Sequence, residues 1–113
     1  MGIYRLYADA QGHSHLEAQG LESHPALKSP QAAKHIVFQV FPVGQFLDWH
    51  PAPRRQYVII LSGELEIGLS DGSLHRFGPG DARLVEDTTG KGHTTRTLSS
   101  IPVIAAVIPL AEE

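Results

Sequence analysis

The sequence predicts an all-β domain, built as an antiparallel sandwich or a closed barrel. From residue 35 onward, short runs of β-branched and aromatic residues stand between turn residues, the texture of strands in a sheet. The turn signals recur about every 8–12 residues, the spacing such folds require. Upstream, Pro25 and Pro30 break up the one stretch that a helix could occupy.

The elements follow in order. Ile3–Tyr7 sets Arg5 among bulky apolar residues and is expected to be a first strand, and a short second strand follows around His15–Ala18. Leu21–Ala33 carries its two prolines among serines and reads as a loop with one helical turn. His35–Phe41 (HIVFQVF) is a strand by its β-branched and aromatic content. Pro42-Val43-Gly44 turns the chain into Phe46–His50, a short strand ended by Pro51 and Pro53. Gln56–Leu61 (QYVIIL) leads through Ser62-Gly63 into Glu64–Leu69. There Leu65, Ile67 and Leu69 share one face, opposite Glu64 and Glu66, because side chains alternate along a strand. Asp71-Gly72 is a hairpin turn before Leu74–Phe77. Gly78-Pro79-Gly80-Asp81 turns into Ala82–Val85, Asp87–Gly92 is a polar loop, and His93–Leu98 and Val103–Ile108 complete the set.

A chain of 113 residues holds one hydrophobic core. We divide it into an N-terminal extension, 1–34, packed on a barrel, 35–113. Its net charge of -3 and its single tight basic pair, Arg54-Arg55, argue against a nucleic-acid partner. The absence of cysteine excludes disulfides, thiolate metal sites and cysteine nucleophiles. No run approaches the roughly 18 apolar residues of a membrane span. Met1–Leu16 contains Arg5, Asp9 and two histidines, unlike a signal peptide. A soluble, cytoplasmic protein without a membrane partner is expected.

Two of the histidines stand out. His50 and His93 each sit at a predicted strand end beside a loop, where side chains of a barrel can converge on a ligand cavity. Neutral imidazole is a common metal ligand, and hydrogen bonding to loop backbone is the other role open to them. The segment around His50 carries a spaced pattern of its own. Gly44 is followed by five residues and His50, one residue and Ala52, three residues and Gln56, six residues and Gly63. This spacing resembles the first motif of the cupin family, with Ala52 in the place of a second His and Gln56 in the place of a Glu. Asp71-Gly72 and Gly78-Pro79-Gly80-Asp81 continue the pattern toward a second motif opened by Gly80. That motif is two residues longer than usual, with Thr88 in the place of a Pro, then Gly90, two residues, His93, three residues, and Thr97 in the place of an Asn. The resemblance spans Ile36–Ile108.

The resemblance implies a double-stranded β-helix, a jelly-roll-like cupin barrel whose two motifs face each other across a cavity. In metal-binding cupins three His and one Glu hold Fe, Mn, Ni, Zn or Cu. Carried over, the metal positions here are His50, Gln56 and His93, and Gln56 offers only a neutral carbonyl oxygen. His15, and after it Glu17, would complete the set from outside the motifs, with Asp48 as an acceptor behind His50. Arg55, beside Arg54, is a candidate clamp for a substrate carboxylate, and Gln56 a candidate substrate contact. Tyr57 and Trp49 alternate with cavity positions and are assigned to core or interface. Glu86, Asp87, Thr88 and Thr89 read as a solvated loop, and His13, His24, His35 and His75 as surface residues.

Two function classes stay open. One is a divalent-metal enzyme of oxygenase or isomerase type, acting on a small molecule that chelates the metal. The other is a metal-free barrel that binds or senses a small molecule; there Ala52 enlarges the cavity and Gln56 removes a buried charge. A homodimer is expected in both, since the apolar Ile3–Tyr7 strand suits exchange across a two-fold axis.

Overall fold

Strands that are apolar on one face bury that face against a second sheet. The computed structural model, which describes residues 1–111, builds this arrangement from ten strands. They are β1 (Ile3–Ala8), β2 (Ser14–Ala18), β3 (Val37–Phe41), β4 (Phe46–His50), β5 (Gln56–Ser62), β6 (Leu65–Gly68), β7 (Leu74–Phe77), β8 (Ala82–Val85), β9 (His93–Thr97) and β10 (Val103–Pro109). One sheet runs β2-β1-β8-β5-β10-β3 and the other β4-β9-β6-β7. Between β2 and β3 there is a single 3-10 turn, Pro25–Lys28.

The N-terminal residues join the first sheet directly. β1 pairs antiparallel with β2 on one side and parallel with β8 on the other. The remaining pairs are antiparallel.

Period-two alternation decides what enters the core. Leu65, Ile67 and Leu69 are buried while Glu64 and Glu66 stay partly exposed. Leu6, Ile60, Phe77, Val103 and Val107 are also fully buried, each contributing about 1.5–3 kcal/mol of transfer free energy. The Tyr4 ring meets Phe77 edge-on at 5.3 Å between centroids, tying β1 to the facing sheet. The edge strand β3 is different, with Val37, Phe38 and Val40 all exposed.

One irregularity shapes the site. Leu47 pairs with Thr95 and His50 pairs with His93, so three steps along β4 match two along β9. This is a β-bulge at Asp48–Trp49. Strict alternation would put Leu47 and His50 on opposite faces, whereas the bulge turns both toward the space between the sheets.

Candidate functional site

Where β4 and β9 of one sheet face β5 and β8 of the other, the packing leaves a cavity of about 170 Å³. Gln39, His50, Gln56, Arg83, His93 and Thr95, from both sheets, contribute its polar lining. Phe41, Leu47, Val58 and Val85 form its apolar wall, and Ala52 and Arg54 also border it.

Alternation places these groups. In β5, Gln56 and Val58 face inward, while Tyr57 faces the outer surface and donates a hydrogen bond to Gln31 Oε1. In β8, Arg83 and Val85 face inward, and Arg83 is the cross-strand partner of Val58. In β9, His93 and Thr95 face inward, with Arg96 outside against Phe46.

The two histidines meet. Their rings lie 4.7 Å apart between centroids in an edge-on arrangement. His50 Nδ1 is 2.6 Å from the backbone carbonyl oxygen of Asp48. A carbonyl only accepts, so Nδ1 carries the proton and neutral His50 keeps its lone pair on Nε2. His93 Nδ1 donates to Asp87 Oδ2 at 2.6 Å, and Ser14 Oγ donates to the same oxygen at 2.6 Å. Asp87 is 0% exposed, and its backbone carbonyl accepts from Ala52 N–H. A fixed Nδ1 partner on each ring sets its orientation and leaves Nε2 as the free polar atom. Gly92 makes the approach of the two motifs close: its φ is +78°, and a Cβ there would run into the backbone of His50 and Pro51.

Arg83 is the least expected group. It is 4% exposed, and its Nε and Nη1 have no hydrogen-bond partner. Its Cζ lies 5.0 Å from the centroid of the buried Phe77 ring, a cation–π contact that partly replaces lost hydration. Burial pushes its pKa down to about 10, with the negative charge of Asp87 acting the other way. The guanidinium is therefore still charged at neutral pH. Asp87 Oδ1 also lacks a hydrogen-bond partner.

Several expected site residues lie elsewhere. His15 does not reach the cavity: it is exposed and bonds Asp9 Oδ2 at 2.7 Å. That bond, with the N–H groups of His13 and Gln11, holds the Asp9 carboxyl down at about 2. The residue of β2 that does reach inward is Ser14, one position earlier and so on the opposite face. Glu17 pairs with His24 at 3.4 Å. Arg55 stands on the outer face of the large sheet, where its Nε donates to Glu86 Oε2 at 2.7 Å, and Arg5 takes the other oxygen. A hollow of about 480 Å³ lies there, bordered by Arg5, Arg55, Tyr57 and Glu86, and Glu86 already accepts from both arginines. The carboxylate of Asp48 caps the Trp49 N–H, and it is the Asp48 carbonyl that supports His50. Trp49 lies half-exposed on the surface under Lys91 Nζ, 4.2 Å from the ring centroid. Asp87, read as a solvated loop residue, is buried because the loop folds inward behind His93.

No protein-family model matches the chain, and no curated protein matches it. Solved structures do resemble it. A cupin domain from Bordetella pertussis Tohama I aligns with a TM-score of 0.53 at 15% identity, over 74% of this chain and 93% of that one. A conserved protein with a double-stranded β-helix domain from Klebsiella pneumoniae aligns at 0.51 and 21% identity, over 74% and 84%. A protein of unknown function from Rhizobium leguminosarum bv. viciae 3841 aligns at 0.54 and 19% identity, over 86% and 99%. The chain spans 65% of the length of a conserved Streptococcus pyogenes protein of unknown function that it also resembles. With two sheets closed face to face over a cavity, these likenesses show that the chain has the cupin fold, a double-stranded β-helix barrel.

Proposed function

We propose that this chain is a cupin barrel that binds a small organic molecule in its cavity and works without a resident metal ion. The supporting observation is the buried Arg83 lining the same cavity as His50, Gln56 and His93.

The donor set fits a divalent cation poorly. Among the described residues, no group of three or more His, Asp or Glu side chains converges as a metal site would require. His50 and His93 offer two imidazole nitrogens; the neighbouring positions are the methyl of Ala52 and the amide of Gln56. A buried guanidinium lining the same cavity repels a second cation, and burial leaves that repulsion poorly screened. The unsatisfied groups at the wall are N–H donors of Arg83, which call for an acceptor. A concave, mostly apolar site with a few convergent polar groups is the ordinary form of a small-molecule pocket.

The test is elemental analysis of protein purified without a His tag, followed by titration with Fe(II), Mn(II), Ni(II) and Zn(II). The reading expects far less than one equivalent of metal and no difference in a His50→Ala, His93→Ala double variant. Near-stoichiometric metal that the double variant loses would overturn it.

A further inference from the structure

The charges around the cavity are one-sided. Arg83 at the inner wall and Arg54 at the border are cationic, and no Asp or Glu side chain lines the space. The nearest carboxylate, Asp87, stands behind His93 and is engaged by His93 and Ser14. Arg54 Nη1 reaches Gln56 Oε1 only at 3.5 Å. Arg83 is thus a desolvated cation with unpartnered donors, and the protein supplies no acceptor to them. Nε and Nη1 are themselves enclosed by the protein, so an entering carboxylate would answer the charge and bond through the remaining guanidinium nitrogen, Nη2.

Size and lining narrow the class. A cavity of about 170 Å³ equals the liquid share of about six water molecules at ~30 Å³ each, which admits a short organic acid. Phe41, Leu47, Val58 and Val85 supply apolar lining, and Gln39 beside Phe41 adds only a neutral amide. A dicarboxylate would find a second cation only in the exposed Arg54 at the border, and inside the cavity its second charge would meet only neutral groups.

We propose that the cavity binds a short-chain aliphatic monocarboxylate, with its carboxylate on the Arg83 guanidinium and its hydrocarbon body against Phe41, Leu47, Val58 and Val85. The proposal rests on the metal-free ligand-binding reading and adds the ligand's chemistry. His50 and His93 present their Nε2 atoms beside the same space and help to orient the acid. Arg54 at the border draws the anion in.

Calorimetric titration with butanoate and 3-methylbutanoate, and with butanamide and 3-methylbutanamide, tests it. Saturable binding is expected for the acids, at least tenfold tighter than for the matching amides. Arg83→Gln is expected to weaken the acids at least tenfold and to leave the amides within about threefold; Arg54→Gln is expected to weaken the acids by less than fivefold. A wild-type readout covers the chance that Arg83→Gln fails to fold. The Nε–H resonance of Arg83, followed by ¹⁵N NMR, should shift on adding 3-methylbutanoate and stay in place on adding the amide. Equal binding of acid and amide, preferential binding of inorganic phosphate, or an unmoved Arg83 resonance would overturn the monocarboxylate assignment. In those cases the metal titration still decides the metal-free reading separately. No saturable binding of either acid by the wild type would also overturn the assignment.

Discussion

Arg83→Met should make the empty protein more stable. The substitution keeps a long, flexible side chain of similar reach and removes a charge held inside the barrel. The fall in the Arg83 pKa to about 10 corresponds to about 3 kcal/mol of preference against the charged form, at ~1.36 kcal/mol per tenfold change in proton affinity. For a base whose folded-state pKa is depressed, this penalty is present in full below the folded value, so at pH 7 it acts undiminished. Losing the contact with the Phe77 ring returns about 1 kcal/mol of it. A net gain of about 2 kcal/mol is expected, in keeping with buried charges replaced by well-packed apolar groups. For 113 residues at about 2.1 cal/mol/K each, the melting temperature should rise by about 8 °C. Thermal and urea melts at pH 7, in buffer free of organic acids, provide the assay. A variant that melts several degrees below the wild type would refute the reasoning, because Arg83 would then be a structural group satisfied by the protein itself.

Three further outcomes follow from the same geometry. Asp87→Ala strips the partner from both Ser14 Oγ and His93 Nδ1 in a buried site, and urea unfolding should show a loss of about 2–4 kcal/mol. Burial pushes the Glu86 carboxyl up, but the hydrogen bonds from Arg5 and Arg55 prevail and hold its pKa below 4.5. Its stabilisation is thus present above that value and lost as the pH falls through the folded-state pKa; unfolding measured from pH 7 to pH 3 should decline less steeply in Glu86→Gln. Gly92→Ala forces a side chain into a left-handed conformation and against the His50 backbone. A loss of about 2 kcal/mol or more is expected by thermal melting, with altered ring-proton shifts of His50 and His93.

Strand positions were legible because alternation is a local property. The run from Leu65 to Leu69 states its own buried face, and the observed strand from Leu65 to Gly68 obeys it. The spacing from Gly44 to Gly63 pointed to His50 and Gln56, and the structure brings both to one cavity with His93. Register was harder to see. His15 and Ser14 are equally plausible by distance along the chain, and only the pairing of β1 with β2 decides that Ser14 turns inward. Asp48 lost its expected role because a bulge, invisible in the sequence, breaks the alternation between Leu47 and His50.

The sequence alone determined the fold class, the order of the strands along the chain and the pair of histidines, since each depends on periodicity or on short-range spacing. Tertiary structure decided the chemistry of the cavity. In the segment Ala82–Val85, Arg83 and Leu84 are both buried, one inside the barrel and one on the outer side beneath the 480 Å³ hollow. An arginine in a short strand ordinarily faces water, and nothing local reveals that this one points between two sheets. The same holds for Asp87, whose loop composition signals exposure while its contacts with Ser14 and His93 come from segments 73 and 6 residues away. Burial is a property of what the rest of the chain places on top of a residue, and the closing of one sheet over the other supplied it here.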